Sequence, residues 1–75
     1  MRILLDACVL YPTIMREVLL GAAKAGAFKP VWSARILEEW RRAAARFGAE
    51  QAQVAGVEIA LIRASWPAAE IAAYD

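Results

Sequence analysis

The sequence ILLDACVL occupies residues 3–10, and in it a short apolar run is closed by a single acid, Asp6. Residues 2–5 are typical of a short strand that is buried on both faces. Because burial of an unpaired charge is costly, an acid at the end of such a strand is expected to be paired, to cap the next turn, or to hold a cation. Ligand sites in open α/β sheets lie just beyond the carboxyl ends of strands. Asp6 is therefore a candidate metal ligand, and an N-cap is the alternative role.

A helix and a second strand follow this stretch. Pro12 suits the first turn of a helix, and Gly26 suits its C-terminal end. The apolar side chains between them form two neighbouring rows, namely Ile14, Val18 and Ala22, and Met15 and Leu19. Residues 28–32 then form a second strand candidate. A strand, a helix and a strand in this order predict a parallel pair, so the expected fold class is α/β, with a short parallel sheet flanked by helices.

The rest of the chain is predicted to contain two helices that meet at Gly48. Ser33 is a suitable N-cap for the first, over residues 33–47, and the second covers residues 49–65. The apolar face of the first comprises Ile36, Trp40, Ala43, Ala44 and Phe47. The second carries two apolar stripes, Val54, Val57, Leu61 and Ala64 on one side and Ile59, Ile62 and Trp66 on the other. Residues 68–75 show no strong signal for regular structure.

Two apolar stripes on one helix normally mean that the helix is covered on two sides. Outside the four predicted elements, the chain offers too few residues to cover both stripes of residues 49–65. One stripe is therefore expected to stay open, and we expect a homodimer or higher oligomer built on this helix.

Two adjacent acids on the third predicted segment, Glu38 and Glu39, differ in their position around the helix. Glu38 points almost directly away from a face centred between Ile36 and Trp40, whereas Glu39 lies on the border of that face. Glu39 is therefore the candidate for a second carboxylate beside Asp6. The alternative is an ordinary surface pair with Arg35 or Arg42, which lie four residues before it and three after it. Those two arginines and Arg46 form a basic stripe, either a solvated face or a phosphate-contacting rim.

Composition excludes several kinds of chemistry. The chain has 75 residues, a formal net charge of +1, one cysteine and no histidine. Without histidine, Ser–His and Cys–His catalysis and the usual Cys/His zinc sites are excluded. A site made only of carboxylates favours Mg²⁺ or Mn²⁺. Cys8 is expected to be a small buried residue, and the three tryptophans are expected in the core or an interface.

The expected location is the cytoplasm. A single cysteine fits a reducing compartment, and Asp6 interrupts the apolar run that a secretory leader would need. No stretch approaches the length of a membrane span, so no membrane partner is expected.

The two acid-bearing motifs together resemble the N-terminal half of PIN-domain ribonucleases, the group that includes VapC-type toxins. Residues 3–10 resemble the opening strand and turn of that family. Residues 31–40, with the sequence VWSARILEEW, resemble its second strand, Ser/Thr helix start and helix with the second acid. The match extends to about Phe47 and implicates Glu39, the acid that precedes the large apolar Trp40.

The resemblance implies a parallel sheet flanked by helices and an acidic pocket in which Asp6 and Glu39 are the catalytic and metal-binding residues. It implies endoribonuclease activity by a water activated on Mg²⁺ or Mn²⁺, with RNA as substrate and an antitoxin protein as a possible partner. Two departures matter. Cys8 stands where the family often has Asn, and the later aspartates of the family have no counterpart, because Glu70 and Asp75 lie in the wrong context. We therefore expect residues 1–75 to form a single partial PIN-like domain that is inactive as this chain alone.

The alternative reading belongs to another functional class. Helices at residues 33–47 and 49–65 could form a helix-turn-helix-like DNA-binding module. The second helix, which would read the groove, opens with Glu50, Gln51 and Gln53 and has Arg63 as its one cation, which opposes phosphate binding. A helical oligomerisation module is the other possibility, and the doubly apolar helix favours it.

Overall fold

The computed structural model describes residues 1–72, which fold into a small parallel sheet and four helices. The elements in chain order are β1 (Arg2–Leu4), α1 (Ala7–Leu10), α2 (Thr13–Lys24), β2 (Lys29–Ser33), α3 (Ala34–Ala45), α4 (Ala49–Ser65) and β3 (Glu70–Ile71). The strands lie in the order β1-β2-β3, and both pairings are parallel. The predicted α/β class and the parallel β1–β2 pair are therefore confirmed. No helix within residues 1–72 is long and apolar enough to cross a membrane.

Strand β2 is the centre of the sheet. Lys29 lies opposite Arg2 of β1, and Trp32 lies opposite Glu70 of β3. The four residues after Lys29 in β2 are all buried, as expected for a strand with a neighbour on each side. Strand β3 was not predicted from the sequence. It has only two residues in an alanine-rich segment, so no alternation of apolar and polar side chains marks it.

Strand β1 differs from the prediction of a strand buried on both faces. Every residue of β1 is exposed, including Ile3 at 36% and Leu4 at 41%. The reason is topological, because among the strands of residues 1–72 β1 lies at the edge of the sheet and pairs with β2 alone. Burial begins only at Leu5, whose N–H donates a hydrogen bond of 2.8 Å to the Val31 carbonyl and which is 4% exposed.

The hydrophobic core is formed mainly by α3 and α4 packed against the start of the chain and β2. Its buried members are Leu5, Leu10, Trp32, Ile36, Leu37, Trp40, Ala44, Ala55, Ile59, Ile62 and Ala69. Trp32 and Trp40 are fully buried and Trp66 packs against the cluster half-buried, so the core assignment of the tryptophans is confirmed. Leu37, which is 1% exposed, was missing from the predicted apolar face of α3. Phe47 was wrongly included in that face, because α3 ends at Ala45 and Phe47 lies in the following turn, 72% exposed.

Helix α2 lies between Pro12 and Gly26, close to the predicted bounds, with Pro12 as its N-cap rather than in its first turn, but most of its predicted apolar rows do not face the core. Ile14 and Val18 are 79% and 65% exposed, whereas the buried residues of the helix are Arg16 and Ala23. Leu19 and Leu20 are half-buried and pack against the core beside them. The inward face thus follows positions 16, 19, 20 and 23, which share one side of the helix. Because Arg16 lies on this inward face, the face could not be recognised from the positions of the apolar residues alone.

The ends of the later helices follow the predicted signals. Ser33 caps α3, since its Oγ accepts a hydrogen bond of 3.1 Å from the Ile36 N–H. Helix α4 begins and ends at the predicted residues, Ala49 and Ser65. Gly48 joins the two helices with φ of 115° and ψ of 166°, a backbone conformation that only glycine adopts readily. The chain can therefore reverse there without a longer loop.

Replacement of Gly48 tests this account of the turn. We expect Gly48→Ala to lower the free energy of unfolding by about 1–3 kcal/mol, because alanine is strained at that φ although no atom within 4 Å blocks its Cβ. Gly21→Ala is the matched control. Gly21 lies inside α2 with the same open surroundings, so alanine there should raise stability by about 0.5–1 kcal/mol. Urea unfolding measures both, and equal effects at the two positions would contradict the strain argument.

Candidate metal centre

Asp6 lies between the end of β1 and the start of α1, where it caps the helix. One of its carboxylate oxygens, Oδ1, accepts a hydrogen bond from the Ala7 N–H, and its main-chain carbonyl accepts from the N–H groups of Val9 and Leu10, each at 3.0 Å. The capping alternative is thus confirmed. A carboxylate has two oxygens with several lone pairs, so a cap made through Oδ1 leaves Oδ2 for a cation. The side chain is exposed, and a metal ion could approach it from solvent.

Glu39 lies on the exposed flank of α3. The buried face of this helix runs through Ile36, Leu37, Trp40 and Ala44, and Glu39 is roughly 115° away from its centre at 100° per residue. Within residues 1–72, the Glu39 carboxylate makes no hydrogen bond and no ion pair, so it is not held by a surface partner there.

The parallel sheet brings the elements that carry these two acids to one edge. Asp6 follows β1 and α3 follows β2, and the carboxyl ends of neighbouring parallel strands lie at the same edge of a sheet. Helices α1 and α3 also pack against each other. The arrangement places Asp6 and the start of α3 on the ligand-binding edge expected for such a sheet, and Glu39 lies in the second turn of α3. That Asp6 and Glu39 share one cation remains a prediction.

Glu38, not Glu39, forms the surface ion pairs of α3. Its carboxylate accepts hydrogen bonds from Arg41 Nε at 3.0 Å, from Arg41 Nη2, and from Arg42 Nε at 3.2 Å. The hydrogen bonds from Arg41, followed by its charge and the contacts of Arg42, hold the pKa of the Glu38 carboxyl below its ordinary value. Arg42 was considered as a partner of Glu39, but it lies four residues after Glu38 and pairs there. The pairing leaves Glu39 available.

The acids of the described residues do not form a complete metal cluster. Within residues 1–72, no three Cys, Asp or Glu side chains are grouped closely enough to hold a metal ion. A cation between Asp6 and Glu39 would therefore take most of its ligands from water or from phosphate oxygens. Cys8 was expected to be buried, but it is exposed, whereas its neighbours Ala7 and Val9 pack against the core.

Arg16 is a structurally important residue that the sequence analysis missed. It is 6% exposed, and its Nη1 donates hydrogen bonds to the carbonyls of Leu10 at 2.8 Å and Tyr11 at 3.2 Å. Its guanidinium carbon lies 4.9 Å from the centre of the Trp40 ring, and its Nη2 lies 3.9 Å from a Glu58 carboxylate oxygen. Arg16 therefore joins the end of α1 to α3 and α4. In the sequence it appeared as one of three charged residues of an amphipathic helix, and such residues normally face solvent.

Several surface cavities lie away from the two acids. A cavity of about 540 Å³ between α2 and α4 is lined by residues that include Leu20, Ala23 and Trp66. Another of about 310 Å³ lies beside Pro30 and Val31. Neither is lined by Asp6 or Glu39, so the candidate metal centre is an open edge rather than a closed pocket.

Comparison with protein-family models, with curated proteins and with solved structures gave no match.

Replacement of Arg16 tests its role in the fold. We expect Arg16→Met to lower the free energy of unfolding by about 1–3 kcal/mol, because methionine fills much of the space but leaves the buried Leu10 carbonyl and the partly buried Tyr11 carbonyl without this donor. Arg42→Met is the control, since the Arg42 side chain is 76% exposed and its loss should change stability by no more than about 0.5 kcal/mol. Thermal and urea unfolding measure both. A loss with Arg16→Met as small as that of the control would show that the guanidinium is not a structural link.

Proposed function

We propose that this protein is a PIN-like, metal-dependent endoribonuclease domain in which Asp6 and Glu39 bind Mg²⁺ or Mn²⁺. The observation that supports the proposal best is the convergence of the two acid-bearing elements at the carboxyl edge of a parallel sheet. The motifs at residues 3–10 and 31–40, which resemble those of PIN-domain ribonucleases, lie on these same elements.

The chemistry of the two side chains fits a hard divalent cation. Both are carboxylates, both are exposed, and Asp6 keeps one oxygen outside its cap. With two protein ligands, the affinity should be weak until RNA phosphates complete the coordination. A bound ion would supply an activated water for phosphodiester hydrolysis. The contribution of the chain is to orient the two carboxylates, Asp6 through its cap and Glu39 through the buried residue that follows it, Trp40.

The exposed flank of α3 supports RNA as the substrate class. Arg42 and Arg46 lie on the same side of the helix as Glu39, three and seven residues after it. Glu38 provides one carboxylate against the two guanidinium groups of Arg41 and Arg42, so it neutralises this surface only in part. Arginines beside a metal site can bind the phosphates that flank a scissile bond.

Cellular location and protein partners follow from the same proposal. We place the protein in the cytoplasm, where a PIN-like toxin would meet RNA and an antitoxin protein. This placement rests on the family resemblance and on the single cysteine.

A helical interaction module is the second candidate function, and one observation favours it. Val54, Val57 and Leu61 of α4 are 54%, 58% and 56% exposed, so the predicted open stripe exists. The DNA-binding version of this idea gains less support. Arg63, the cation of α4, donates a hydrogen bond of 2.8 Å to Glu70 and is thus already paired. An apolar surface with Glu50 at its start is better suited to another protein surface than to phosphates.

Mn²⁺ broadening of backbone amide signals tests the metal centre. We expect substoichiometric Mn²⁺ to broaden the signals of Asp6, Ala7, Glu39 and Trp40 first, because a paramagnetic ion acts on nearby nuclei. Asp6→Asn and Glu39→Gln should each weaken binding at least about tenfold, since each removes one of two charged oxygen ligands. Asparagine still caps a helix, so Asp6→Asn separates loss of the metal from loss of the cap.

Glu50→Gln is the matched control for this experiment. Glu50 is an exposed acid in the first turn of α4, so its removal changes the net charge by the same amount without touching the sheet edge. Broadening that centres on Glu50 and Glu58, or that survives both Asp6→Asn and Glu39→Gln, would exclude the proposed centre.

RNA cleavage provides a separate test. Two carboxylates hold the ion weakly and the later acids of the family have no counterpart, so we expect little or no Mn²⁺-dependent cleavage of single-stranded RNA by the purified protein. Asp6→Asn should abolish what is present, and a chelator should do the same. Rapid cleavage that Asp6→Asn leaves unchanged would show that the activity does not come from this site.

A further inference from the structure

The edge of the sheet at which β1 and β2 begin carries two cations in register. Arg2 lies opposite Lys29, both residues are exposed, and both line the same surface cavity. Within residues 1–72, neither side chain makes an ion pair or a hydrogen bond. Like charges opposite each other on neighbouring strands repel, so this pair lowers the stability of the sheet unless an anion lies beside it. The arrangement therefore favours a bound anion.

The cavity beside the two cations is mainly apolar and has a volume of about 310 Å³. Its lining includes Pro30 and Val31 of β2, which are buried, and Trp66 and Pro67 of the connection between α4 and β3. Cavities that bind small molecules have volumes of roughly 300–1,000 Å³ and a lining of apolar and aromatic side chains with a few polar groups. The cavity thus has the size and the composition of a small-ligand site.

Main-chain hydrogen bonds fix the connection that lines this cavity. The Trp66 N–H donates to the Ile62 carbonyl at 2.9 Å, and the Ala69 N–H donates to the Trp66 carbonyl at 3.1 Å. The Ala69 carbonyl accepts a hydrogen bond of 3.0 Å from the Trp32 N–H, which attaches the connection to β2. The cavity is therefore formed without a ligand, and little ordering of the chain opposes binding.

The polar groups of the lining indicate the class of ligand. A guanidinium and an ammonium group side by side can each donate to one oxygen of a carboxylate. Apart from these cations, the polar side chains of the lining are the Ser65 hydroxyl and the Trp66 indole. A nucleobase would leave several of its donors and acceptors unpaired there, which is costly, whereas an aromatic or aliphatic group has none to satisfy.

We propose that this cavity binds a small carboxylate, with its aromatic or aliphatic body against Trp66 and its carboxylate between Arg2 and Lys29. The cavity of about 540 Å³ shares Ser65 and Trp66 with it but offers one cation, Lys24, and is the competing location. Asp6 follows the other end of β1, so the carboxylate site is independent of the candidate metal centre.

Isothermal titration calorimetry of the purified protein with cinnamate tests the proposal. We expect a Kd on the order of 0.1–1 mM, as suits a ligand of few atoms in an open cavity. Cinnamyl alcohol has the same ring and chain without the charge, and it should bind at least about fivefold more weakly. High salt should weaken the binding of cinnamate and not that of the alcohol.

Substitutions locate the carboxylate. Arg2→Gln and Lys29→Gln should each raise the Kd for cinnamate about two- to fivefold, the scale of an exposed ion pair. The double variant should bind cinnamate no more tightly than cinnamyl alcohol. Because each substitution removes a repulsion, the unliganded variants should unfold at the same temperature as the parent protein or higher. Lys24→Gln is the matched control, since it changes the net charge equally and should leave the Kd unchanged.

A further variant tests the apolar part of the site. Ala68 is an exposed residue of the lining, so Ala68→Phe fills the cavity and keeps both cations. It should raise the Kd for cinnamate at least about tenfold, because a filled apolar cavity excludes the ring.

Four results would overturn the proposal. Equal affinity for cinnamate and cinnamyl alcohol would show that the cations do not hold the ligand. A loss with Lys24→Gln as large as that with Arg2→Gln would place the ligand in the neighbouring cavity. Absence of binding heat at a cinnamate concentration about tenfold above the expected Kd would exclude the site. Lower unfolding temperatures for both Arg2→Gln and Lys29→Gln would show that the two cations serve the fold instead.

Discussion

The arrangement of the helices depends on the contacts that the Arg16 guanidinium group makes with α1, α3 and α4. A buried arginine is costly unless its donors are used, and here Nη1 satisfies two main-chain carbonyls at the end of α1. The group also lies over the Trp40 ring and near the Glu58 carboxylate, so one side chain contacts three other helices. The Glu58 side chain is 39% exposed, and this ion pair is therefore the weakest of the contacts. Hydrogen bonds to the carbonyls and the stacking on Trp40 account for most of what Arg16 contributes.

Local signals allowed some elements to be predicted from the sequence and left others hidden. The bounds of α4, the Ser33 cap and the Gly48 turn depend on single residues with strong conformational preferences, and all three were confirmed. Strand β3 depends on pairing with β2 and has no local pattern of its own. The exposure of β1 could not be foreseen for a similar reason. An apolar strand has the same sequence at an edge as in the centre, and only the order of strands distinguishes the two.

The candidate metal centre, too, could be predicted from the sequence only in part. Asp6 at the end of a strand could be predicted from the sequence. Glu39 was predicted on the border of the buried face of α3 but lies on the exposed flank, because the buried Leu37 moves the centre of that face away from it. The sequence did not reveal which of the two acids on α3 forms the ion pairs. Glu38 and Glu39 both have arginines three or four residues away, so either could have formed them. The structure assigns Arg41 and Arg42 to Glu38. Ion pairs as exposed as these contribute little to stability. Their main consequence is that Arg42 pairs with Glu38 and does not occupy the Glu39 carboxylate.

Arg16 also connects the fold to the candidate metal centre, because it contacts both elements that carry the acids. Asp6 caps α1, and α1 ends at the carbonyls to which Arg16 donates. Glu39 directly precedes Trp40, whose ring lies against the Arg16 guanidinium. A shift of this side chain would therefore move α1 and α3 relative to each other at the sheet edge. Carboxylates that share a cation must keep their separation within a fraction of an ångström. If Asp6 and Glu39 bind a cation as proposed, the buried arginine would be a positioning residue for that site without touching it.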